Sequence, residues 1–354
     1  MGCDVHLIDF TQIIEQLKNK KVSNESFRQS VSDNIYKNVM TFNSKKPFDL
    51  VLSFLDANIV GPDFFIDIQK NIFTVNFSCN YHQFEDLHKE IAPYIGLNTY
   101  VSIPHKNKYD EVGANCYWLP FAANPRLYKN NKNKLKNISF IGTSYGERPY
   151  YLWRILQNSI PIDIYGPHWV AKSELSRKIK RLIFSSLSFI GNTKNKLRYL
   201  DKNKRLLLLE ILKKNYKDFL KGPLNDKEMI DIYGSSKIIL NFSESRINHD
   251  YFNSEVLFGC NHRDFEVPMS GALLLTQHSD ELEFFFDEGK EVISFKNEFE
   301  MIDKIKYYMS NDDIRKKIAV AGYQKALKEH TWVKRFEDLF DHLHKNYSLN
   351  TKPI

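Results

Sequence analysis

The chain has 354 residues, with 50 lysines and arginines against 43 aspartates and glutamates and a net charge of +7, so it holds about two ordinary domains. Its 42% hydrophobic and 14% aromatic content supplies real cores and excludes wholesale disorder. The modest cationic excess suits an anionic partner, such as a nucleoside diphosphate, an acidic lipid or a nucleic acid, without choosing among them.

Cys3, Cys79, Cys116 and Cys260 are scattered and form no C-x-x-C pair. That pattern supports neither a zinc ribbon nor a disulfide framework, and a reducing cytoplasm is the expected location. No stretch approaches the roughly 20 apolar residues that span a bilayer, and no signal-peptide pattern opens the chain. Met1-Gly2-Cys3 hints at acylation, but His6 stands where the myristoylation pattern wants Ser or Thr.

Taken in order, residues 5–10 predict a strand and 11–19 an amphipathic helix. A helix should precede Pro47, followed by a buried strand over 48–55. Pro62 opens the next helix at a first-turn position, and strands follow at 72–77, 98–103 and 115–119. Strands alternating with helices predict a parallel sheet with helices on both faces. This first domain spans 1–122. Residues 123–136, rich in Lys and Asn with little apolar periodicity, read as a linker.

A second domain over 137–330 opens with a strand at 138–141, a glycine-bearing loop over 142–148, a helix from Pro149 to about Asn158, and a strand at 162–165 stopped by Gly166-Pro167. Residues 170–221 are Lys/Arg-dense and predicted helical, with Leu206 to Leu209 near the centre. Asn225 and Glu228 fit a capping box whose helix ends at Gly234 and feeds a strand over 237–242. Arg263-Asp264-Phe265-Glu266-Val267-Pro268-Met269-Ser270-Gly271 is one helical turn and a glycine stop, followed by a buried strand over 272–276. Helices follow at 299–309 and 312–329. In the last segment, 331–354, Trp332, Phe336, Leu339, Phe340, Leu343 and Tyr347 form one apolar stripe at helical spacing.

Several of these pieces suit a pyrophosphate ligand. Arg263 and Glu266 lie at a helix mouth beside strand ends, where open α/β sheets bind ligands; an ordinary surface pair is the simpler alternative. In the 142–148 loop, Gly142 lets backbone approach phosphate, the following helix contributes its dipole, and Arg148 offers a planar fork. The loop matches neither G-x-G-x-x-G nor Walker A, which counts against dehydrogenase and P-loop readings. Asn241 and Ser243 end a strand beside it, a place where polar residues also serve simply as caps.

Four ordered elements carry a family resemblance: F-I-G-T-x-x-G-x-R, I-D-I-Y-G-P-H-W, S-K-I-I-L-N and R-D-F-E-V-P-x-S-G. Together they resemble GT-B glycosyltransferases, and the last is similar to the R-x-F-E-x-x-x-x-G signature of the spore-maturation-protein-B-like group. The resemblance implies an α/β fold of two Rossmann-like domains facing a cleft, with the last helix crossing back to the first domain. In the usual order of that fold, residues 2–7 look like the second strand, so the chain is expected to start late.

The resemblance also implies an activity: transfer of a sugar from a nucleoside diphosphate donor, held by the second domain, to an acceptor that is a glycan, a lipid-linked molecule or a protein. This would serve surface-glycan or glycoconjugate biosynthesis in the cytoplasm. Glu266 would grip the ribose diol and Arg263 would face the phosphates. Gly142, Thr143, Tyr145, Arg148, Gly166, Asn241, Ser243, Gly271 and His278 would line the donor site, with Gln277 beside the sugar. Neither a metal nor a resident cofactor is implied, because no DxD pair ends a strand. Retaining relatives carry a glutamate eight residues before the second one; here that position is Phe258, with Glu255 out of phase, so the retaining mechanism does not carry over. An inverting step would need a base, for which His82 and Asp56 are the candidates.

The basic 170–221 segment would lie on an anionic membrane surface in one reading; a solvated helical pair packed on the domain is the simpler one. A nucleotide-sugar epimerase and a non-catalytic binding protein are the rival functions. Nucleic acid is not an expected partner, since the basic residues are not interleaved with aromatics in a recognisable module.

Overall fold

Short apolar runs separated by helix-period segments fold here into two parallel sheets. The computed structural model describes residues 3–18, 23–79, 84–131, 134–170, 205–246 and 256–349. They divide into unit 1, Met1–Pro120 with Val333–Ile354, and unit 2, Phe121–Trp332.

In unit 1, β1 (Leu50–Ser53), β2 (Phe73–Ser78), β3 (Leu97–Tyr100) and β4 (Cys116–Trp118) lie side by side in chain order. All three pairings are parallel. Helices α1 (Thr11–Lys18), α2 (Asn24–Asn43), α3 (Pro62–Gln69), α4 (Phe84–Leu87) and α5 (His105–Glu111) surround them. Pro62 starts α3, where its missing N–H costs nothing. Val31, Ile35 and Val39 of α2 pack with Phe64, Phe65 and Ile68 of α3.

Three features of this unit differ from the sequence reading. Residues 3–10 form no strand; Val5 and Leu7 are 78% and 83% exposed. Ile8 and Phe10 anchor the segment by packing on the α2–α3 cluster, so side-chain contacts rather than a ladder hold it. The strand expected to be buried over 48–55 shrinks to β1, an edge strand paired only with β2, and it leaves Leu52 and Phe54 exposed. The described part of the segment expected as a linker, 123–131 and 134–136, is partly packed: Ala123 and Tyr128 are buried in unit 2, and Ala123 exchanges backbone bonds with His330 and Trp332. The polar majority of the segment hides these inward-facing positions.

The final apolar stripe is used within unit 1. Leu339 and Leu343 of the last helix (Trp332–Tyr347, α12 below) join Val75, Leu97 and Leu119 in one cluster, bordered by Phe336, Phe340 and Tyr347. Arg335 Nε donates to Pro120 O at 3.3 Å.

Unit 2 is a five-stranded sheet in the order β11-β10-β7-β5-β6, all parallel. Its strands are β5 (Lys136–Ile141), β6 (Asp163–Tyr165), β7 (Ser236–Asn241), β10 (Leu273–Gln277) and β11 (Ile293–Phe295), and β8 (Glu244–Arg246) pairs antiparallel with β9 (Val256–Phe258). A parallel bridge from Ile164 to Leu220 extends the sheet beyond β6. Helices α6 (Arg148–Gln157), α7 (205–215), α8 (Asp226–Ser235), α9 (His262–Met269), α10 (Glu298–Ser310) and α11 (Asp312–Glu329) complete the unit before α12. The chain runs outward from β5 to β6, returns across β5 to β7, and continues the other way. The loops after β5 and β7 therefore part at a topological switch point, where doubly wound sheets open a crevice.

The capping box expected at Asn225 and Glu228 starts α8. Of the basic segment expected to be helical over 170–221, residues 171–204 lie outside the described residues. The 205–215 helix buries Leu209 and Leu212 in the main core. No described helix is long and apolar enough to cross a membrane.

Gly166, just past β6, has φ +131°, and a Cβ there would sit 2.3 Å from Gly142 O. Only glycine fits, because both the backbone angle and the neighbouring main chain forbid a side chain. Gly166→Ala is expected to destabilise the protein by about 3 kcal/mol, read from urea unfolding midpoints.

Candidate functional site

The site is built on α9 and on the carboxyl ends of β7 and β10. Asn261 precedes α9 and makes reciprocal caps: its Oδ1 accepts the Arg263 N–H at 3.0 Å, and Asp264 Oδ2 accepts the Asn261 N–H at 2.8 Å. The helix stops at Gly271, whose φ of +68° is the left-handed stop common after helices. A Cβ at Gly271 would meet Asn130 Oδ1 at 2.2 Å, which ties this glycine to the 121–135 segment.

Asp264, fully buried, is the hub. Its Oδ1 accepts from Asn241 Nδ2 at 2.8 Å and from Thr276 Oγ1 at 2.9 Å. Asn241 and Thr276 are register partners at the ends of β7 and β10, and Asn241 Nδ2 also reaches Thr276 Oγ1 at 3.2 Å. With its amide nitrogen drawn to the carboxylate, Asn241 must point its oxygen outward, where Oδ1 accepts from Arg263 Nη1 at 3.2 Å. Burial pushes the Asp264 carboxyl up, while the Asn261 N–H, Thr276, Asn241 and Arg263 pull it back.

Glu266 sits one turn along, half-buried, with Oε1 accepting from Tyr128 OH at 2.7 Å. Its carboxyl is raised by burial, and Tyr128 and Arg263 oppose that shift. The Tyr128 hydroxyl is pushed far up, first by burial and then by Glu266. Tyr233 of α8 is completely buried; burial raises its phenol, and the nearby Arg263 opposes that shift. Of the Arg263/Glu266 pair, Glu266 is held by a tyrosine hydroxyl and Arg263 by Asn241 and Asn261.

The 142–148 loop is engaged differently from the sequence reading. Arg148 is buried rather than presented outward. Its Nη1 lies 3.3 Å from Thr143 O and 3.4 Å from Thr143 Oγ1, and its Nη2 lies 3.5 Å from Phe242 O, so it fastens the loop to the end of β7. The guanidinium stacks over Phe140 and Tyr145 at 5.9 and 5.5 Å. Glu244 Oε2 accepts the Glu147 N–H at 3.0 Å, so the anion at the α6 N-terminus is the protein's own carboxylate. Gly146, at φ +56°, leaves room for it. Thr143 itself is exposed, and the Gly142 N–H pairs with Tyr165 O.

Ser243 Oγ donates to Gln277 O at 2.8 Å, joining the ends of β7 and β10. Gln277 is buried, and its Oε1 has no hydrogen-bond partner among the described residues. His278 is tied toward β11: its N–H reaches Phe295 O, and Nδ1 lies 3.3 Å from Ser294 Oγ, with Asp280 and Glu288 at 3.4 and 3.8 Å.

Arg263, Glu266 and Asn241 are therefore brought to α9 and its mouth, with Ser243 and Gln277 at the neighbouring strand ends, while Gly271 lies past the far end of the helix. His82 and Glu255 lie outside the described residues. Asp56, in unit 1, accepts the Asn58 N–H at 2.8 Å and faces the buried His88. Sequence reasoning missed Asp264, Tyr128, Tyr233, Glu244 and Lys134. Only Asp264 carried a signal, as the acidic third residue after the cap Asn261; the others speak only through distant contacts.

Lys134 Nζ donates to Gly234 O at 2.7 Å and Ser270 O at 3.2 Å, capping the ends of both α8 and α9. Burial, aided by Arg315, lowers its pKa from 10.5 to about 8.

Residues 153–341 match the glycosyl transferase-like family over more than half of the chain. The chain belongs to that family. This glycosyltransferase is also similar in structure to three solved proteins. Sucrose-phosphate synthase from Thermosynechococcus elongatus gives a TM-score of 0.57 at 8% identity, over 92% of this chain and 80% of that one. HepE from Anabaena, solved with UDP-glucose, gives 0.54 at 10%, over 88% and 82%. A glycosyltransferase from Rickettsia africae gives 0.57 at 12%, over 94% and 87%. These likenesses show the GT-B fold, with its two Rossmann-like domains. No curated protein matches the glycosyltransferase in sequence.

Asp264→Asn should cost about 2 kcal/mol in urea unfolding, because an amide turns a donor toward groups that now donate to the carboxylate. Lys134 yields a pH test. Between pH about 8 and 10.5 the unfolded chain holds a proton that the folded one has lost, so stability rises with pH. Lys134→Met should remove that contribution, flattening the stability curve of the variant against the parent across this window.

Proposed function

We propose that this glycosyltransferase takes its sugar from a nucleoside diphosphate donor bound at the carboxyl ends of β7 and β10. The pairing of Arg263 with Glu266 at the mouth of α9 carries the reading. A pyrophosphate needs a fixed cation, and Arg263 in the first turn of α9 offers one. A ribose offers two neighbouring hydroxyl donors, which suit a carboxylate such as Glu266. As the diphosphate departs it gains charge, and a preorganised guanidinium stabilises that charge without a metal ion. The HepE structure with UDP-glucose supports a donor of this class on the same fold.

Gln277, with its buried carbonyl oxygen, and Ser243 are the proposed neighbours of the sugar. The acceptor is assigned to unit 1, with His82 or Asp56 as the base. Phe258 stands where retaining relatives carry their first glutamate, so no retaining step is assigned. The R-D-F-E-V-P-x-S-G segment supports placement near the spore-maturation-protein-B-like group. Surface-glycan or glycoconjugate synthesis is the proposed pathway class.

A thermal-shift screen against nucleoside diphosphates and their sugars tests this directly. A ligand at about 100 times its Kd adds roughly 2.7 kcal/mol of stability. Glu266→Ala and Arg263→Ala should each erase the shift given by the best ligand while the apo proteins still melt cooperatively. If both variants respond like the parent, the donor binds elsewhere. Product analysis with the responding donor separates transfer from epimerisation of the free nucleotide sugar and from binding without turnover.

A further inference from the structure

Three residues that precede the sheet of unit 2 grip α9 at three different points. Tyr128 OH donates to Glu266 Oε1 at 2.7 Å. The Asn130 side chain occupies the space that a Cβ on Gly271 would need. Lys134 Nζ takes the Ser270 carbonyl at the helix end. Of the three, only Tyr128 touches a group with proposed ligand chemistry.

Tyr128 is well suited to the task. It is buried, and its ring lies 6.3 Å from that of the fully buried Tyr233. A phenol carries one donor and no charge, so it fixes one carboxylate oxygen without neutralising the group or competing as an ion pair. Glu266 Oε2 has no hydrogen-bond partner among the described residues.

We infer that Tyr128 is the positioning residue of the donor site, holding Glu266 Oε1 so that Oε2 is presented, ionised, to the ribose hydroxyls. This rests on the reading that Glu266 binds the ribose. The hydroxyl opposes the upward push that burial exerts on Glu266. The other titratable groups facing Glu266 are Arg263 and Asp264 on its own helix and Asp226 in the first turn of α8, with Tyr233 behind Tyr128. Arg263 also favours the ionised form; the two aspartates oppose it. Removing the phenol takes away one of the two groups that favour the ionised form.

The test measures the Kd of the nucleoside diphosphate selected by the thermal-shift screen, from pH 5 to 9, with the parent, Tyr128→Phe, Glu266→Gln and Glu266→Ala. Melting curves at each pH check the fold. Tyr128→Phe should bind within about threefold of the parent at pH 9 and lose affinity progressively toward pH 5, its acid limb displaced upward by about one pH unit. Glu266→Gln, which keeps an oxygen for Tyr128 but cannot ionise, should bind weakly and keep only the pH dependence of the ligand's own terminal phosphate, which is common to all the variants.

The two readings fail separately. Parent-like binding by Glu266→Ala overturns the ribose assignment itself. Loss of binding by Glu266→Ala, with a parent-like acid limb in Tyr128→Phe, overturns the positioning role alone. A uniform loss of affinity in Tyr128→Phe at every pH also overturns it, since that marks a packing defect. A further readout needs no ligand. In 13C titration of labelled glutamate carboxyls, the signal absent from Glu266→Gln should titrate higher in Tyr128→Phe than in the parent; an unchanged midpoint contradicts the inference.

Discussion

One carboxylate with almost no access to water organises the candidate site. Asp264 closes the cap of α9 with one oxygen and gathers the ends of β7 and β10 with the other. Burying such a charge is costly unless it is fully hydrogen-bonded, and here three donors converge on it. The orientation of Asn241, and through it the placement of Arg263, follows from satisfying that buried group.

A second constraint acts from the opposite side of α9. The segment after Pro120 looks solvated in composition, yet Tyr128, Asn130 and Lys134 each meet the helix or its stop. The pair that reads as the donor clasp is therefore bracketed by the sheet ends on one side and by this segment on the other. Such double support is what a preorganised polar site requires, because a side chain free to rotate spends binding energy on its own ordering.

Much of this was legible in the sequence for identifiable reasons. The Leu-rich run after Gly271 is long enough for one buried strand, and it pairs in parallel with β7 and β11 after the positive-φ stop that ends α9. Asn225 with Glu228, and the stripe from Phe336 to Tyr347, signal through local spacing alone. Arg148 was read as a phosphate fork because loop position suggests exposure; the side chain turns inward because Thr143 and Phe242 offer carbonyls there. Glu244 at the α6 N-terminus, and Tyr128 behind Glu266, were invisible because their partners lie 97 and 138 residues away. Residues 5–10 alternate like a strand, but no neighbouring strand takes up their backbone groups.

The placement of α12 bears on how the molecule is made. Leu339 and Leu343 complete a cluster begun by Val75, Leu97 and Leu119. Unit 1 is thus discontinuous along the chain, while unit 2 is a single uninterrupted stretch. As a ribosome extrudes the polypeptide from its amino end, unit 1 must wait, its apolar sheet face uncovered until α12 has followed unit 2 out. Unit 2 has all its strands in hand earlier, so the order of maturation should run opposite to the order of translation.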